Sequence, residues 1–197
     1  MIPVYVFHPV AALSLVGTYL VWLVPEVIRS LSRRPVPGAR TQDRRSGLVL
    51  ALSIWAGVAL ATLAAFRMRD FAIAWHRMGL FIAGIVLMLA GVAFRWYAIR
   101  VLGRFFSVVV AFQPGQTVVQ AGPYRRLRHP AYSGAILTLF GLGLVCGNWL
   151  SLLALVLLPG IGYGYRIAVE EKMLLAELGD TYRQYMKRTQ RIIPFVI

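Results

Sequence analysis

The stretch AYSGAILTLFGLGLVCGNWLSLLALVLLPGIGYGY, residues 131–165, holds 35 positions without one Asp, Glu, Lys or Arg. A single helix of that length overshoots a hydrocarbon layer roughly 30 Å thick, which about 20 residues already cross. Gly147-Asn148 stands at its midpoint, and both residue types accept the backbone angles of a tight turn. The expected structure is a helical hairpin, with one arm on each side of that pair. The competing reading is one strongly tilted helix followed by a buried stretch, but tilt absorbs only part of such an excess.

Working outward, the same absence of charge recurs at 1–25, at 46–66 and at 78–94. The last of these is expected to continue helically through Arg95 toward Gly103, leaving Arg95 near the membrane boundary. The fold class is therefore all-α: a polytopic membrane protein with about five transmembrane helices. A hydrophobic content of 59% and a mean hydropathy of +0.69 suit a bilayer and not a soluble domain. The first span lacks the basic start and small-residue cleavage site of a signal peptide, so it is expected to be retained.

The 21 Lys and Arg against 7 Asp and Glu give a net charge of +14. Nucleic acid and membrane are the two partners such a balance suggests. The arginines sit in short segments between apolar runs, which favours membrane lipids and excludes nucleic acid as the expected partner. With five spans, 18 of the 21 cations fall on the side of loops 29–45 and 95–130 and of the tail after residue 165. The positive-inside rule puts that side, with the C-terminus, in the cytoplasm. One cysteine, Cys146, inside an apolar run allows no disulfide framework, and His8, His76 and His129 show no ligand spacing. No metal is expected.

Three polar constellations share the basic side, where charge beside hydrocarbon is costly without a use. The first is RWYAIRVLGRFF at 95–106, which also reads as interfacial anchoring by arginines and aromatics. The second is GPYRRLRHPAYSG at 122–134. Proline disfavours helix in the residue before it, so the fourth span should begin at Pro130 with His129 at its N-terminus. Exposed amides there suit a carboxylate or the ribose hydroxyls of a nucleotide-like cofactor; a plain helix cap is the bland alternative. The third runs from Arg166 through Glu170-Glu171, Leu174, Leu178 and Tyr182 to Pro194-Phe195. Glu170 shares the helical stripe of Leu174, Leu178 and Tyr182 and should point inward. Arg166 and Glu170 are one turn apart in the weaker order for a surface pair.

Taken together these residues resemble the isoprenylcysteine carboxyl methyltransferases and related phospholipid methyltransferases, over roughly residues 95–195. The resemblance rests on Arg95 with Leu102-Gly103 and Phe106, on GPYRRLRHPAYSG, on the uncharged hairpin, on Glu170-Glu171, Leu178-Gly179, Tyr182 and Tyr185, and on Pro194-Phe195. The three charge-free spans make up 1–94, and the resemblance implies a methyltransferase region over 95–197 with a cytoplasmic C-terminal catalytic segment. It also implies S-adenosylmethionine as cofactor, held by Gly122, Pro123, Tyr124, His129, Tyr132 and Glu171. Arg95, Arg166 and Glu170 match the charged residues the family sets near the acceptor, where a guanidinium can fix a carboxylate through paired hydrogen bonds. Glu170 would then hold Arg166, or act as a base toward a phenol or amine.

The acceptor implied is membrane-embedded or lipid-like, and the expected reaction is carboxyl O-methylation of an isoprenylcysteine-like group. N- or O-methylation of a phospholipid or phenolic lipid is the alternative within the class, and a non-catalytic transporter or scaffold the alternative outside it. The family pattern often shows Asn where this chain has Phe105, so polar recognition at that point is replaced by a ring.

Overall fold

The computed structural model describes residues 2–32, 40–43 and 45–192. Part of the basic loop 29–45 and the Pro194-Phe195 pair lie outside the described residues. Five α-helices dominate: α1 (Pro9–Ser32), α2 (Arg45–Arg67), α3 (Arg77–Leu102), α4 (Pro130–Cys146) and α5 (Trp149–Arg188). Four of them are long and apolar enough to cross a membrane, and α4, with 17 residues, is a shorter apolar helix.

The hairpin forms as its sequence demands. Gly147 takes φ +60° after Cys146, and Asn148 caps α5 by accepting hydrogen bonds from Leu150 N (2.9 Å) and Ser151 N (3.3 Å). The Asn148 amide has a second use, donating from Nδ2 to the carbonyls of Ala64 (3.2 Å) and Met68 (2.9 Å) at the end of α2. Ile73 N donates to Gly147 O at 2.9 Å, so the α2–α3 loop and the hairpin turn share one end of the bundle.

At the opposite end, β1 (Arg40–Asp43) pairs antiparallel with β2 (Val110–Phe112), an addition to the all-helical expectation. Asp43 closes that ribbon and opens α2, accepting from Arg45 N (2.6 Å) and Ser46 N (3.0 Å). The loops thus alternate between the two ends of the bundle, as five crossings require. The protein is an integral, multi-pass membrane protein.

Two boundaries differ from the expectation. The first helix begins at Pro9, after a 3-10 turn at Val4–Val6, and runs through Pro25 to Ser32 where the sequence suggested a span over 1–25. Proline at a first helical position gives up a donor that has no partner there anyway, and membrane helices tolerate the bond lost at an internal proline. The arm after the hairpin does not stop near Tyr165 but continues to Arg188, changing direction at Gly179 (φ +54°, ψ −127°), where a side chain would be strained.

Helices α3 and α4 touch backbone to backbone. A Cβ built on Gly91 would lie 2.5 Å from Thr138 Oγ1 and 2.6 Å from Gly134 O, and one on Gly84 would lie 2.6 Å from Gly141 O. Small residues seven apart on each helix therefore set the approach, as in membrane bundles generally. Gly91→Leu is expected to lower the folded yield and the melting temperature in detergent. Gly160→Leu, which meets nothing within 4 Å, should leave both unchanged.

Candidate active site

A cavity opens where the lower ends of α3 and α4 meet the second half of α5. About 850 Å³ of non-protein space lies within it, part of it open to solvent. One wall comes from the chain between α3 and α4, with Phe105, Phe106, Val109 and Val110; another comes from Leu174, Leu178, Tyr182 and Tyr185 of α5. The direction change at Gly179 brings the last two in. Tyr185 Oη sits 2.8 Å from Tyr124 O and 3.2 Å from Leu127 O, donating to that turn and fixing it.

The polar end is built around the N-terminus of α4. His129 stands at the N-cap position of that helix and is buried, its ring stacked on Tyr132 with centroids 5.5 Å apart. The ring stands between two successive carboxylates of α5: Nδ1 is 3.8 Å from Glu170 Oε2 and Nε2 is 3.4 Å from Glu171 Oε1. Backbone amides of Arg128 and His129, just before α4, donate to Gln190 O (2.8 Å) and Arg191 O (3.0 Å), so the tail runs as a strap beside the foot of that helix.

Arg166 and Glu170 do not pair directly through a bond; the Tyr132 hydroxyl stands between them. Arg166 Nε donates to Tyr132 Oη at 3.0 Å, and Tyr132 Oη donates to Glu170 Oε2 at 2.8 Å. Arg166 Nη2 donates to Val108 O at 2.5 Å. Its Nη1 faces α2, where a Cβ on Gly47 would come within 3.3 Å. The guanidinium is thus bonded to the protein through Nε and Nη2, beside the cavity wall.

Of the nine residues the sequence marked, Tyr124, His129, Tyr132, Arg166 and Glu170 line this one cavity. Gly122 and Pro123 form the 3-10 turn that carries Tyr124 into the wall and do not line it themselves. Burial holds the Tyr124 phenol above its ordinary value, and the nearby Glu170 charge adds to the effect, so it stays a neutral hydrogen-bonding group.

Glu171 is buried behind the wall. It accepts from Arg128 Nε (2.7 Å) and Arg191 Nε (3.1 Å) besides meeting His129, and Arg128 Nη1 goes on to Met186 O (3.0 Å) and Thr189 O. This cluster ties α4, α5 and the tail together. Arg128 and Arg191 were not singled out in the sequence; both lie in basic stretches where one arginine looks like the next.

Arg95 also lies behind the wall. Its Nε and Nη2 take both oxygens of Glu26 on α1 (3.2 and 2.5 Å), and Nη1 donates to Ala131 O at 3.0 Å. Glu26 was missed because its partner is 69 residues away, and nothing near it in the chain signals the pair. Glu26→Ala, which strands a buried guanidinium, should lower the melting temperature more than Glu26→Gln, which keeps an acceptor in place.

The fold and this site define a polytopic helical membrane protein with a cavity that is charged at its head and apolar along its walls, at the foot of a buried helix pair. Comparison with known proteins shows what the chain is similar to. The profile of the isoprenylcysteine carboxyl methyltransferase (ICMT) family matches residues 84–176, the stretch that carries α4 and most of the cavity-lining residues of α5.

A "Probable protein-S-isoprenylcysteine O-methyltransferase" of Oryza sativa subsp. indica is 30% identical over 57% of this chain and 60% of its own length. The protein-S-isoprenylcysteine O-methyltransferase of Schizosaccharomyces pombe is 33% identical over 48% of this chain and 41% of its own. Among solved structures, the eukaryotic intramembrane Ras methyltransferase, an isoprenylcysteine carboxyl methyltransferase, superimposes with a TM-score of 0.60. Its identity is 26%, over 79% of this chain and 54% of that one. The matched part thus spans 60% or less of these relatives.

Proposed function

We propose that this chain is an S-adenosylmethionine-dependent methyltransferase that esterifies the carboxylate of an isoprenylcysteine-like lipid. The observation that carries this reading is the Tyr132-bridged Arg166–Glu170 arrangement in the wall of a cavity whose other walls are apolar. Its lining suits the cofactor: Glu170 for an ammonium, and the rings of Tyr124, His129 and Tyr182 for a purine.

When bound, S-adenosylmethionine supplies a methyl group made electrophilic by a sulfonium. The chain's own residues do the rest. Arg166 takes the acceptor's carboxylate with its fork, because it is the one of the two candidate arginines at the cavity wall. Tyr132 and Glu170 hold that fork in one orientation, so that the attacking oxygen is aimed before reaction. Arg95 acts one step back, fixing the Ala131 carbonyl and with it the first turn of α4. Phe105, Phe106 and Leu178 keep water from the two opposite charges whose neutralisation drives the step.

The basic ends, with the catalytic segment and the C-terminus, face the cytoplasm in this reading, on the strength of the loop charge asymmetry. The test is incubation with radiolabelled S-adenosylmethionine and either S-farnesylcysteine or a membrane lipid extract. A base-labile label in S-farnesylcysteine is the expected result. An alkali-stable label in phospholipid head groups would move the acceptor to an amine, and absence of label from both would reject lipid methylation.

A further inference from the structure

Six cations that the methyl-transfer reading does not use stand within a few residues of the cavity lining along the chain. Arg104 lies beside the lining residue Phe105, with its guanidinium 4.9 Å above the ring. Arg125 and Arg126 follow Tyr124, Arg100 closes the last turn of α3, and Lys187 and Arg188 end α5. All six are exposed. The exposed acids nearest in sequence to the α5 part of this rim are Glu177 and Asp180, and Asp180 is already bonded to Arg183 at 2.6 Å. The loop at the other end of the bundle carries fewer, with exposed Arg67 and Arg69 beside exposed Asp70 in the chain.

Two features fix where this rim stands. Arg126 is four residues before Pro130, the first residue of α4, and Arg100 is still within α3, so the cations lie within a turn or two of where hydrocarbon begins. After Gly179 the end of α5 turns Tyr182 and Tyr185 to the cavity and leaves Arg183, Lys187 and Arg188 exposed, and the bridge of Leu127 with Gln190 ties that end to the segment carrying Arg125 and Arg126. Strings of Lys and Arg at this depth attract acidic head groups, in a manner weakened by salt.

We propose that this rim is a docking surface for the anionic head groups of the leaflet it faces, gathering acidic phospholipids at the cavity mouth. The inference does not depend on what the cavity binds. It is tested on the full chain reconstituted in nanodiscs of equal phosphatidylcholine and phosphatidylglycerol, with retained lipids counted by native mass spectrometry after extraction. Phosphatidylglycerol should be enriched several-fold over phosphatidylcholine, and added salt should reduce the enrichment. The combined R125S, R126S, K187S, R188S variant should lose it, while R67S with R69S, at the other end, should keep it.

Equal retention of the two lipids, or an enrichment that salt does not change, overturns the proposal even if the fourfold variant fails to fold. Enrichment that survives in a folded fourfold variant overturns it too. Tighter retention of single-stranded RNA than of phosphatidylglycerol would assign the surface to nucleic acid instead.

Discussion

Arg166→Lys is expected to lower kcat/KM for S-farnesylcysteine by about 10²-fold while leaving the affinity for S-adenosylmethionine nearly unchanged. The wild-type guanidinium is fixed by Nε to Tyr132 and by Nη2 to Val108 O. A lysine ammonium is one atom at the end of a flexible stem and cannot hold these contacts while offering a planar pair of donors to a carboxylate. Tyr132→Phe tests the same arrangement from its centre. It removes the hydroxyl between Arg166 and Glu170 and should cost about 10-fold or more, the usual loss for a hydrogen bond to a charged group. Steady-state kinetics in both substrates separates the cases: a donor-side defect in Arg166→Lys would place that arginine elsewhere in the reaction.

The second large effect is expected at Glu171. Its carboxylate is met by Arg128, His129 and Arg191, and with Arg128 it holds the strap that crosses the foot of α4. Glu171→Ala strands a buried guanidinium and an imidazole, and breaking such a pair typically costs about 3–5 kcal/mol. The variant should therefore melt well below wild type in detergent and bind S-adenosylmethionine weakly. Glu171→Gln, which keeps shape and one acceptor, should fall between the two. The affinity loss acts through the walls, since Glu171 lies behind the cavity. An alanine variant with unchanged melting and unchanged affinity would show that the strap has no part in holding the site.

How much of this was legible depends on how local each signal is. The hairpin could be read from Gly147-Asn148 within a charge-free run, and the start of α4 from His129-Pro130, because length and proline geometry act within a few residues. The inward face of Glu170 could be read from helical spacing alone, and that residue lines the cavity with Leu174, Leu178 and Tyr182. The pairings could not.

Arg166 and Glu170 looked like partners because they are one turn apart; only the packing of α4 on α5 inserts Tyr132 between them. Arg95 looked free for an acceptor because Glu26, on a helix outside the family match, gives no sign of where it packs. The approach to α4 likewise gave no sign of a partner, and it is the tail, more than fifty residues on, that takes the amides of Arg128 and His129. The β1–β2 ribbon joins segments that carry no strand pattern individually. In each case the sequence names the chemistry of a residue, while the partner is set by contacts distant in the chain.

The measurement that bears most directly on the cavity as a donor site is calorimetric titration of S-adenosylmethionine into the detergent-solubilised protein, alongside Leu174→Trp. That substitution puts an indole into the cavity from a wall residue that is itself half-buried and makes no polar contact. The expected result is saturable one-site binding to wild type and its loss in the variant, with both proteins melting at similar temperatures. Absence of binding to wild type, or equal affinity with the cavity filled, would contradict the account.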